Sequence, residues 1–177
     1  MMIKDSRDQY GAVSRVLHWS MALALSLLFA LGWWMVGLDY YSPYYKSAPD
    51  LHRSVGLLVL LALGVRIAWR LINVKPNDDD LSPVERTASR AVHLGFYPLL
   101  IALMVSGYFI STADGRAIDV FGWFNVPAVV AAPGLEDAAG LVHEWSAYVV
   151  MALAVVHSAA ALKHRYWNVT NGRHRMW

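Results

Sequence analysis

The chain has 177 residues, of which 57% are apolar and only 16% charged, against roughly half and a quarter in an average soluble domain. A soluble core of this size cannot bury so much apolar side chain, which excludes an ordinary water-soluble globule. Cysteine is absent and the formal net charge is +2, so disulfides, thiol catalysis, Cys-ligated zinc, iron–sulfur clusters and thioether-attached haem are all excluded, and nothing in the sequence points to nucleic acid.

Four apolar runs, at about 16–38, 51–72, 92–112 and 138–162, each reach the roughly 20 residues a helix needs to cross a bilayer. None alternates as a barrel strand does, so the expectation is an all-α integral membrane four-helix bundle, one domain over residues 1–177. The first run is too long for a cleavable leader and lacks a small-residue cleavage site after it. The connector at 73–91 carries Pro76, the run Asp78, Asp79 and Asp80, and Pro83, and reads as a polar loop. The connector at 113–137 is too short to span and too apolar to be fully wet, which suits the membrane interface.

Twelve of the 15 Lys and Arg residues fall in the N-terminal segment, the middle connector with its flanks, and the C-terminal tail. Only Lys46, Arg53 and Arg116 fall on the other side. By the positive-inside rule both termini face the cytoplasm. Tyr40, Tyr41, Tyr44 and Tyr45 then form an outer aromatic belt, with Trp33 and Trp34 one turn deeper.

Histidine is the residue to explain. Five of the seven lie in or at the ends of the spans: His18, His52, His93, His143 and His157. His143 and His157 share one helix at a spacing of fourteen, which is about 21 Å of rise and almost four whole turns. They point the same way at two depths, as ligands of two stacked cofactors would. Each needs a partner at its own depth. His52 serves the outer level, and either His18 or His93 serves the inner. The fourteen-residue step also connects His18 to Gly32, His93 to Gly107 and His52 to Arg66. Glycine at those places would let a flat macrocycle pass close, and Arg66 could pair with a carboxylate near the inner level. Zinc suits this set poorly, since it takes about four ligands. Haem iron needs two imidazoles, and when both faces are ligated it favours electron transfer over oxygen binding.

The residues Tyr10-Gly11, Leu17-His18-Trp19, Asp50-Leu51-His52-Arg53-Ser54-Val55-Gly56 and Ala91-Val92-His93-Leu94 carry a resemblance. So do Ser106-Gly107-Tyr108, Ser111-Thr112-Ala113-Asp114-Gly115, Leu141-Val142-His143, Val156-His157 and Leu162-Lys163-His164. Over nearly its whole length the chain resembles the bacterial cytochromes b561, di-haem b proteins of the inner membrane. The resemblance implies two haems b, one on His52 and His143 at the outer level and one on His18 and His157 at the inner level, so these four histidines are the iron ligands. His93 is then a non-ligand, a candidate for quinone contact or proton delivery. Phe96 stands where a second histidine varies in the family. His164 reads as an interface residue. Arg53 beside the outer pair, and Arg15 or Arg66 near the inner pair, are candidate partners for the haem propionates.

The expected activity is transmembrane electron transfer between the quinone pool, with ubiquinone as substrate, and a periplasmic redox partner. Two alternatives follow from the resemblance. One branch is often encoded beside a periplasmic lipid-binding protein, for which the chain would be a non-redox anchor. Another is the superoxide oxidases, enzymes that pass electrons from superoxide to ubiquinone. An anion is drawn to positive potential, yet the outer side carries three basic residues against seven acidic ones, Asp39, Asp50, Asp114, Asp119, Glu136, Asp137 and Glu144.

Overall fold

The computed structural model describes residues 2–77 and 81–166, leaving out the side chains of residues 164 and 165. The Asp78–Asp80 run, the His164 side chain and His174 lie outside the described residues. Four helices account for most of the chain: α1 (Ala12–Met35), α2 (Ser47–Ile72), α3 (Pro83–Thr112) and α4 (Leu135–Tyr166), with strands β1 (Ile118–Val120) and β2 (Phe124–Val126) between the last two. All four helices are long and apolar enough to cross a membrane. Leu23, Leu27, Leu61 and Val155 point outward and stay exposed, as side chains solvated by lipid do.

The helices begin before the apolar runs, and α1 ends at Met35, short of the run expected to 38. The largest difference is α3, which begins at Pro83 inside a connector expected to be a polar loop. The reason is local. Ser82 accepts a bond from the Glu85 amide while the Glu85 carboxylate accepts from the Ser82 amide, and Pro83 occupies the first turn. A capping box followed by proline starts a helix whatever the polarity of its first turns. Lys163 of α4 meets Glu85 at 3.5 Å, so the polar end of α3 is tied to the last helix.

At the opposite end, the connector expected at the interface contains a small antiparallel hairpin pairing Ile118 with Val126 and Val120 with Phe124. Phe121 and Gly122 both have positive φ at its tip, the mirror-image turn that matches strand twist. The Ser54 hydroxyl fastens it to α2 by accepting from the Phe121 amide and donating to the Asp119 carbonyl, each at 3.3 Å.

The buried core is a single layer formed by Met21, Leu28, Val59, Leu63, Leu100, Leu103, Met104 and Val150. Its position follows from the sequence. On α4, Val150 lies seven residues from both His143 and His157. On α2, Val59 and Leu63 lie between His52 and Arg66. The tightest apolar packing therefore separates the two histidine levels.

Candidate haem-binding centres

Two histidine pairs form, one on each side of that layer. His52 of α2 and His143 of α4 have ring centres 6.2 Å apart, and so do His18 of α1 and His157 of α4. All four rings are half-buried. The fourteen-residue step on α4 thus places its two histidines against different helices at different depths.

The separation can be compared with what an iron atom between two imidazoles requires. Metal–nitrogen bonds of about 2 Å, with each ring centre about 1 Å further out, put the two centres roughly 6 Å apart. Both pairs meet this. His93 also approaches His157, but at 5.1 Å, which is about 1 Å too close, and it is exposed. Geometry therefore favours His18 over His93 as the partner of His157. Among the described residues no three His, Cys, Asp or Glu side chains converge on a metal-sized space. The donors come in twos, which suits iron already carrying four ring nitrogens.

The outer nitrogens bear on the same question. The His143 Nδ1–H donates to the Leu103 carbonyl at 2.7 Å, which fixes the tautomer and leaves Nε2 as a lone-pair donor. The Nδ1 of His52 is buried with no hydrogen-bond partner among the described residues. His18 differs. Its Nδ1 lies 3.0 Å from Arg66 Nη2, and a guanidinium only donates, so Nδ1 is the acceptor and the proton sits on Nε2. Iron at His18 requires the other tautomer and requires Arg66 to turn away. His93 is anchored through Nδ1 to the Ser89 carbonyl at 2.7 Å, one turn back on its own helix, and Phe96 packs edge-on against His157 at 5.9 Å.

The arginines separate in the same way. Arg66 reaches the inner pair at His18. Arg15 approaches the Gln9 side chain at 3.4 Å. Arg53 is taken up by Asp50 in an ion pair one turn back on α2. Arg116 sits on Asp114, whose carboxyl is held below the usual carboxylate range by the Arg116 backbone N–H and then by its side chain.

The two glycines at fourteen-residue spacing lie at the depth of the outer pair, as expected, but each faces an imidazole. A Cβ on Gly32 would come within 3.2 Å of His52, and one on Gly107 within 2.9 Å of His143. Sequence reasoning assigned that clearance to a macrocycle. It missed the Leu103 carbonyl, because a backbone acceptor leaves no mark in a residue pattern.

A sequence model of the family described as prokaryotic cytochrome b561 matches residues 9–177. Cytochrome b561 homolog 2 of Escherichia coli (strain K12) is 46% identical over 168 residues, covering 94% of this chain and 89% of that protein.

Proposed function

The chain belongs to the prokaryotic cytochrome b561 family, multi-pass inner-membrane proteins that carry electrons on haem b, and from that premise we propose that it moves single electrons across the membrane through two such groups. The observation that carries this reading is the equality of the two histidine pairs, 6.2 Å each, on either side of one apolar layer. His52 and His143 hold one group, and His18 and His157 hold the other. Haem bound there would supply one-electron exchange between ferric and ferrous states.

The remaining residues serve that exchange. The packed layer of Leu63, Leu103 and Val150 keeps water from between the two levels. Arg66 and Arg15 offer positive charge for propionates near the His18 end, where a lone carboxylate would be costly to bury. Both termini face the cytoplasm, so His52 and His143 lie toward the periplasm. His93, exposed and beside His157, suits proton exchange with ubiquinone at the cytoplasmic level. A soluble periplasmic redox partner meets the outer pair.

Electron transfer is preferred to superoxide oxidation for a specific reason. Two of the three basic residues at the outer end, Arg53 and Arg116, are already paired with Asp50 and Asp114, which leaves little positive potential to draw an anion. The test is an anaerobic redox titration of the purified protein, with pigment analysis. Two one-electron centres, both reducible by a quinol, are expected. A superoxide pulse in a stopped-flow cell should leave the centres oxidised while superoxide decays at its spontaneous rate. Rapid reduction by superoxide would establish the enzyme reading instead. Centres that no quinol reduces would leave the anchor for a periplasmic lipid-binding protein.

A further inference from the structure

The first and third helices repeat one arrangement. In α1, Leu28 and Gly32 follow His18 by ten and fourteen residues, and in α3, Leu103 and Gly107 follow His93 by the same steps. Leu28 and Leu103 are both buried in the central layer. The geometry explains why a glycine stands four residues after each leucine. A helical side chain leans toward the N-terminus and covers the turn before it. A bare position therefore uncovers the carbonyl four residues earlier, which has a second lone pair beyond its helical bond.

In α3 that opening is used. A Cβ on Gly107 would lie 2.9 Å from Cε1 and 3.0 Å from Nδ1 of His143, and the imidazole reaches past it to the Leu103 carbonyl at 2.7 Å. The buried Ser106 hydroxyl donates to the same carbonyl at 2.9 Å. In α1 the opening is present but the bond is not yet made. A Cβ on Gly32 would lie 3.2 Å from Cε1 and 3.7 Å from Nδ1 of His52, and that Nδ1 is buried with no hydrogen-bond partner among the described residues.

We propose that Gly32 and Gly107 are a matched pair of positioning residues, whose missing side chains seat the Nδ1 edges of His52 and His143 on the Leu28 and Leu103 carbonyls. Each seat holds the proton on Nδ1 and turns Nε2 toward the space between the rings. Through that tautomer both glycines act on the outer centre alone, and His52 would make the corresponding bond to the Leu28 carbonyl in the haem-loaded protein. The inference rests on the assignment of His52 and His143 as ligands.

The test compares Gly107→Ala and Gly32→Ala with the parent protein. In Gly107→Ala the new methyl displaces the His143 ring and breaks a bond that orients a metal ligand, a change worth 10–100-fold in metal affinity. Haem titration should show the outer centre weakened by about that factor. Its midpoint potential should rise, because an imidazole that loses its Nδ1–H acceptor is a poorer donor to ferric iron. Gly32→Ala should do the same more weakly, since its clearance is larger. The inner centre should keep its spectrum and potential in both. Equal loss at both centres, or an unchanged outer centre, overturns the proposal. A second measurement needs no haem. Nitrogen-15 histidine spectra of the haem-free protein should show His143 with its proton on Nδ1, and Gly107→Ala should lose that signature. An unchanged His143 tautomer overturns the seat itself. Retention of both haems in His143→Ala would instead refute the ligand assignment, with the tautomer result standing apart.

Discussion

Removing the Arg66 charge should lower the potential of the inner centre. Arg66 Nη2 lies 3.0 Å from His18 Nδ1; because iron on the far ring nitrogen would require Arg66 to turn off that atom, the guanidinium would stand roughly 7–10 Å from the metal, the lower figure being the present contact plus the ring width and a metal bond of about 2 Å. At an effective dielectric constant of about 20, one unit charge at roughly that distance is worth about 2 kcal/mol, on the order of 100 mV for one electron. Reduction adds an electron, so a positive neighbour favours the ferrous state and raises the potential. A carboxylate drawn to Arg66 offsets part of this. The expected fall in Arg66→Gln is therefore some tens of millivolts up to about 100 mV. Arg66→Lys retains the charge and should retain most of the potential, although it loses the planar fork. The assay is an optical redox titration that resolves the two centres. A potential that stays fixed or rises, or a shift confined to the other centre, would refute the placement of Arg66 at the inner level.

Three further outcomes follow from the described contacts. His18→Ala should halve the haem content while His93→Ala keeps it whole, because only the His18–His157 separation of 6.2 Å accommodates iron where the His93–His157 separation of 5.1 Å does not; pigment analysis giving the reverse would reassign the helix. Ser54→Ala removes two hydrogen bonds between α2 and the hairpin, about 1 kcal/mol apiece, and should speed hydrogen exchange at the Phe121 amide about tenfold or more; exchange at the parent rate would show that the hairpin is held by something else. Asp114 should titrate below the usual carboxylate range, with its Arg116 contacts intact above that midpoint and lost as the pH falls through it, since the bonds favour the ionised form. Carboxyl-carbon chemical shifts would read this, and an Arg116→Pro variant, which lacks both that backbone N–H and the guanidinium, with the same midpoint would sink the attribution.

The parts of this molecule that were legible in the sequence are those governed by a long-range period. The membrane requires about 20 apolar residues per helix, so four runs were enough to give four helices. The helical repeat brings positions fourteen apart back to one face, so His143 and His157 announced two levels before any contact was known. The starts of the helices were harder, because apolar content reports where lipid is and a capping box acts within four residues. The hairpin was harder still. Its strands have three residues each, too few for alternation to register, and its anchor is one hydroxyl on a distant helix.

The choice between His18 and His93 shows why a site can be half legible. Depth depends on position along the chain, and both histidines satisfy it. Reach depends on which helix faces α4 at that depth, and only the three-dimensional packing supplies the 1 Å by which the two separations differ. The tautomers go one level deeper. Gly107 in the sequence says only that something comes close. That the visitor is an imidazole edge, and that it comes for the Leu103 carbonyl, depends on an acceptor that every residue carries and that is exposed only where a side chain is missing. The same reasoning applied to Gly32 makes the unpaired Nδ1 of His52 the most informative atom at the outer level, because Gly32 leaves the Leu28 carbonyl one turn back on α1 uncovered for it.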